Sequence, residues 1–150
     1  MTPVTASIEI DAPPQRVWEV IMDPEHFGDW VTIHRKLGYV DDGDLRPGFR
    51  VDQTLCLHRA NFKVKWSLAE LDAPHHAVWE GKGPAGSHAR IVDKLTPLDG
   101  GDKTRFDYVN EYSQPGGFLG RMAGRVFVAH TAQREAAYSL ARLKAFVERR

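Results

Sequence analysis

The chain opens with a short polar, strand-like run that contains ASIEI, and then the period of its apolar positions changes. Val17, Trp18, Ile21 and Met22 fall at i, i+1, i+4 and i+5, one apolar face of a helix. Pro13 and Pro14 suit its first turn, because their φ is preset and the amide hydrogen they lack would find no partner there. Asp23 followed by Pro24 reads as the cap and first position of a second helix. The pattern therefore predicts two short helices, near residues 14–22 and 24–30, meeting at a corner. Trp18 shares a helix face with Met22 at that corner and is expected to be largely buried.

Turn signals then recur along the chain: DDGD (41–44), HRAN (58–61), DAPHH (72–76), GPAG (83–86) and LDGGD (98–102). The runs between them, about seven to twelve residues long, have the length and spacing of antiparallel strands joined by hairpins. In NFKVKWSLAEL, Phe62, Val64, Trp66 and Leu68 point one way, and Lys63, Lys65 and Ser67 the other. In TRFDYVNEY, Phe106, Tyr108, Asn110 and Tyr112 share one face, opposite Arg105, Asp107 and Glu111. One face of this sheet is wet and the other is covered.

The cover is the last element, a long helix expected from about residue 116 to 148, with Leu119, Met122, Val126, Ala129, Gln133, Ala136, Leu140, Leu143 and Val147 at spacings of three and four. One long helix over a curved sheet of about five to seven strands is an α+β layer architecture. The middle of the helix is lean in bulk, with Ala129, Ala132 and Ala136 beside His130 and Gln133. Small residues facing large inward side chains leave room for a ligand.

At 150 residues the chain is expected to be one domain, 1–150, able to bury a substantial core. Formal net charge is zero, which removes a global electrostatic case for nucleic acid as a partner. The charge is unevenly spread: residues 1–44 hold three Lys/Arg against nine Asp/Glu, and residues 121–150 hold seven against two. This points to ends that neighbour and complement one another in the fold, or to two solvated faces, rather than to a basic surface for an anionic partner. The single cysteine, Cys56, excludes an internal disulfide and fits a reducing cytoplasm. No signal peptide opens the chain, and no apolar run approaches the ~18 residues of a membrane span. A soluble cytoplasmic domain is expected, with a homodimer left open.

The stretch ASIEIDAPPQRVWEVIMDPEHFGDWV resembles the start of the SRPBCC superfamily, the START-like and polyketide cyclase/dehydrase proteins, and REAAYSLARLKAFVE is similar to that family's final helix. The resemblance spans essentially the whole chain. It implies the helix-grip fold: a curved antiparallel sheet wrapped around a long C-terminal helix, with two short helices after the first strand closing the open end of the sheet. It implies no single activity, since the superfamily holds lipid carriers, cyclases and hydroxylase subunits.

Most motifs resolve to plain roles. GKGPAG (81–86) matches G-x-G-x-x-G, but a strand pattern rather than a helix follows it, so it reads as a hairpin turn and not a dinucleotide site. GRMAG (120–124) reads as close packing or a weak helix start. The seven histidines form no metal-ligand spacing, Cys56 has no motif partner, and no G-x-S-x-G elbow is present. No metal and no cofactor are expected.

What remains is a set of residues projecting into an otherwise apolar cavity, the expected form of a small-molecule site. Its expected members are Phe62, Trp66, Tyr108, Asn110 and Tyr112 from the sheet, with Val126, Phe127, Ala129, His130 and Gln133 from the helix. The occupant would be a hydrophobic molecule such as a lipid, polyketide or aromatic metabolite. The alternative is a cyclase or aromatase acting on a poly-β-ketone, with His130, Tyr108, Tyr112 and Arg134 as candidate acid–base groups.

Overall fold

The structure, a computed structural model, describes residues 3–113 and 122–149, and of residues 122–129 the backbone alone. Strand β1 (Val4–Ile10) leads into helix α1 (Pro14–Ile21). One 3₁₀ turn (Pro24–His26) runs into α2 (Phe27–Trp30). Six strands follow: β2 (His34–Val40), β3 (Arg50–Leu57), β4 (Ala60–Asp72), β5 (His76–Lys82), β6 (His88–Leu98) and β7 (Lys103–Ser113). Helix α3 (Met122–Glu148) closes the described chain, and its expected start near residue 116 lies outside the described residues. The strands form one antiparallel sheet in the order β1-β7-β6-β5-β4-β3-β2. This is the helix-grip arrangement.

Local chemistry explains the elements. Asp23 accepts a hydrogen bond from the backbone N–H of Glu25 at 2.9 Å, capping the 3₁₀ turn that Pro24 opens. α1 buries Val17, Trp18 and Ile21, with Met22 buried at its C-terminal end. Between β3 and β4 the turn is His58-Arg59, both with positive φ (54° and 65°), the two-residue geometry that matches the twist of a hairpin. The strand therefore resumes at Ala60, inside the segment HRAN that reads as turn. GKGPAG is indeed a hairpin connection, ending β5 and turning through residues 84–86 into β6. A register shift between Leu68 and Glu70 interrupts the β4–β5 ladder, a device that bends a sheet.

The core lies between the concave face of the sheet and the helices. Phe106, Leu95, Leu68 and Val51 from the strands are buried with Val17 of α1 and Leu140, Leu143 and Val147 of α3. α3 also seals the free edge of β1. The Thr5 N–H donates to Gln133 Oε1 at 3.2 Å, and Gln133 Nε2 donates back to the Thr5 carbonyl. Further along, Lys144 Nζ donates to the Glu9 carbonyl at 2.9 Å, and Glu148 accepts from the Asp11 N–H at 2.6 Å. Backbone groups that would otherwise template pairing with another chain are thus occupied. The two ends of the chain are thus neighbours, joined through backbone groups of β1 and the residue after it.

Candidate functional site

Inward-facing residues of five strands form the floor of a cavity: Val51, Gln53 and Leu55 of β3, Trp66 of β4, Trp79 of β5, Ile91 and Asp93 of β6, Tyr108 and Asn110 of β7. Ile21 of α1, Phe27 and Trp30 of α2, and Val31 and Ile33 just beyond it complete the described lining. The space open to the centres of water-sized molecules is about 100 Å³, ample for more than one water or for a small organic molecule. The two short helices thus do more than fill a corner. Ile21 of α1 with Phe27 and Trp30 of α2 form one wall of the cavity.

Gly81 sits opposite Trp66 on β5 and makes room for its ring. A Cβ there would lie 2.7 Å from Trp66 Cε3 and Cζ3 and 2.8 Å from Val64 Cγ1. Gly81→Ala is expected to push the indole toward the cavity and cost about 1–3 kcal/mol, as overpacking does. Denaturant melts check this, and an unchanged midpoint would show that Trp66 moves freely.

Trp66 is held from its other side. Its Nε1–H donates to Gln53 Oε1 at 2.9 Å, which fixes the amide so that Gln53 Nε2 donates to His34 Nδ1, also at 2.9 Å. Burial lowers the pKa of His34, consistent with a neutral ring carrying its proton on Nε2. This relay is neutral throughout and fully directed.

The opposite end of the cavity is different. Asp93 and Tyr108 face each other across β6 and β7, and Asn110 follows Tyr108 on the same face, opposite Ile91. Asp93 is 5% exposed, yet its Oδ1 has no hydrogen-bond partner among the described residues. The same is true of Asn110 Oδ1 and Trp30 Nε1. Burial pushes the Asp93 carboxyl up to about 7. Burial, and then the charge of Asp93, raises Tyr108 far above an ordinary phenol, opposed by a hydrogen bond with the Asn110 side chain. Buried polar groups without partners among the described residues thus share one cavity.

The expected site residues are distributed as follows. Trp66, Tyr108 and Asn110 line this cavity. Phe62 is half-buried against the core, and Tyr112 is half-buried near the end of β7; neither is part of the described lining. Val126, Phe127 and Ala129 lie on α3, but their side chains fall outside the described residues. His130, Gln133 and Arg134 are exposed, and so do not face the cavity. The reason is the phase of the helix. Among its described side chains the buried ones are Thr131, Ser139, Leu140, Leu143 and Val147, which puts Gln133 on the flank over β1. The expected stripe agrees from Leu140 onward and drifts toward the N-terminus, where alanines do not define a face.

Asp93, Gln53 and Trp30 were not among the expected residues. A signal for Asp93 does exist: in ARIVDKL it has the same parity as Ala89, Ile91 and Leu95, which places an acid on the covered face. Gln53 shares the parity of Val51 and Leu55 in the same way. No sequence signal links Trp30 to these strands.

Fold and cavity together define a helix-grip protein with an internal small-molecule-sized chamber. The chain belongs to the family described as polyketide cyclase/dehydrase and lipid transport, whose model matches residues 1–148. Among solved structures it is similar to the Zhui aromatase/cyclase of a Streptomyces species (TM-score 0.81, 19% identity, covering 99% of this chain and 94% of that one). It is similar also to TTHA0849 of Thermus thermophilus (TM-score 0.78, 20% identity, 97% of each chain). At these identities the likeness is one of fold. Among curated proteins, Toxin Rv0910 of Mycobacterium tuberculosis is 23% identical over 107 residues, 71% of this chain and 74% of that protein. Among the described residues no helix is long and apolar enough to cross a membrane.

Proposed function

We propose that this protein binds a hydrophobic small molecule in the cavity between the sheet and helices α1 and α2. The observation that carries the reading is the chamber itself, walled by Phe27, Trp30, Trp66, Trp79 and Ile91, with few polar groups, all at defined positions. That is the usual composition of a ligand site. Family membership supports it, since the family description includes lipid transport.

The test is binding of the neutral fluorophore N-phenyl-1-naphthylamine to wild type and to Ile91→Phe, which places a ring in the chamber. Wild type is expected to bind it, and Ile91→Phe to bind at least about tenfold more weakly, a loss of about 1.4 kcal/mol, with unchanged near-ultraviolet circular dichroism. Equal binding by the two proteins, or none by wild type, would overturn the proposal.

A second reading, cyclisation of a poly-β-ketone, is favoured by one observation. Asp93, pushed up to about 7, exchanges its proton at neutral pH, as an acid–base group must. It stands across from Tyr108, the one candidate among His130, Tyr108, Tyr112 and Arg134 that lines the chamber. Tyr108→Phe separates the readings: a carrier shows no turnover of a polyketone in wild type or variant, whereas a cyclase turns it over in wild type and loses turnover in Tyr108→Phe while still binding.

A further inference from the structure

The polar end of the chamber says more about its occupant than that it is apolar. This inference rests on the binding reading above and adds the chemistry of the ligand's head group. Three buried atoms around one cavity lack a partner among the described residues: Asp93 Oδ1, Asn110 Oδ1 and Trp30 Nε1. Two of the three are acceptors, and one is a donor. Leaving such groups unmade costs far more than making the bond gains, so a ligand that answers them is preferred over one of the same shape that does not. The lining contains no lysine or arginine among the described residues, and its one carboxyl group is 5% exposed. With Asp93 ionised, above its raised value of about 7, an entering carboxylate or phosphate would face that charge with no counter-charge among the described residues, and it could not donate to the two free acceptors.

We infer that the chamber selects an aromatic or alicyclic molecule whose polar end donates hydrogen bonds to Asp93 and Asn110, and that it refuses anionic head groups. A hydroxyl group meets the need economically. It gives its proton to one of the two acceptors and can take the Trp30 N–H on its oxygen. An ammonium group offers donors to both acceptors and finds aromatic faces in Trp66, Trp79 and Tyr108. The shared chemistry is donation, and rings suit the body because the described walls are aromatic: Phe27, Trp30, Trp66 and Trp79.

The experiment, run at pH 8 so that Asp93 is ionised, is a matched series on one scaffold: naphthalene, 2-naphthol, 2-naphthylmethylamine and 2-naphthoate, each titrated against wild type, Asp93→Leu and Asn110→Leu by calorimetry and tryptophan fluorescence. In wild type 2-naphthol is expected to bind at least about tenfold tighter than naphthalene, and 2-naphthoate at least about tenfold more weakly than 2-naphthol, the scale of one hydrogen bond to a charged or buried group. The leucine variant that removes the acceptor in use is expected to lose most of that advantage while leaving naphthalene affinity within about threefold, and the other variant is expected to keep it. An advantage of the amine that exceeds that of the alcohol and disappears in Asp93→Leu supports the inference and makes the head group cationic. The inference is overturned if 2-naphthol binds no better than naphthalene, if 2-naphthoate matches it, or if the advantage persists in both variants. The free atoms are then answered by water or by each other. If naphthalene binds and only the head-group preference is missing, the binding reading stands without the inference. If none of the four ligands binds, both fall. Should one leucine variant fail to fold, the alanine variant at the same position takes its place, because the two positions remove different acceptors.

Discussion

Asn in place of Asp93 is expected to make this protein more stable above neutral pH by about 2–4 kcal/mol and to leave it nearly unchanged at pH 4. The sign follows from the two states of the carboxyl group. In the unfolded chain it ionises near the ordinary 3.8, whereas in the folded protein burial pushes it up to about 7. Between those values the folded state holds a proton that the unfolded state has lost, so stability falls as pH rises through this window and levels off above it. A rise from 3.8 to about 7 corresponds to about 4 kcal/mol, or about 2 if water entering the chamber relaxes the penalty. The neutral amide has no such slope. Urea melts of both proteins from pH 4 to 8.5 give the difference directly, with the other titrating groups common to both. Parallel stability curves would show that Asp93 is ionised throughout and has a counter-charge.

Trp18→Ala is expected to cost about 3–5 kcal/mol, the range for truncating a large buried aromatic. Trp18 is 6% exposed, part of the main core together with Ile21 and Trp30. In a domain whose whole stability is about 5–15 kcal/mol this is a large fraction. The effect reaches the site, because Ile21 on the same helix lines the chamber. Loosening α1 should therefore weaken binding of the neutral fluorophore as well. Denaturant melts measure the first effect, and a loss below about 1 kcal/mol would mean that the indole contributes little to the core.

These two substitutions lie on opposite sides of what the sequence reveals. Trp18 is legible, since its spacing from Val17, Ile21 and Met22 defines a helix face and its neighbours Pro14 and Pro24 define where helices begin. Asp93 is legible only as an oddity, an acid at the parity of Ile91 and Leu95. That parity puts it on the covered face but cannot distinguish a buried acid from the end of a strand. Its opposition to Tyr108 depends on the β6–β7 register, in which Leu98 pairs with Lys103. A turn one residue longer would have turned one partner to the other face.

By itself the sequence determined the elements and their order. Periods of two and of 3.6, proline and aspartate at helix starts, and turn residues between strands are local signals, each carried by a few consecutive residues. Only the tertiary structure decided which residues share the chamber. The middle of α3 is composed of small and polar residues whose stripe is too weak to set its own rotation, so the edge of β1 sets it. Gln133 turns out to meet the Thr5 backbone, and His130 is left exposed. In the same way Trp30 meets Asp93 and Asn110 around one cavity because two short helices fold over five strands, a convergence of segments some sixty to eighty residues apart. Periodicity fixes the face on which a side chain emerges, but what stands opposite depends on packing, which is a property of the whole chain.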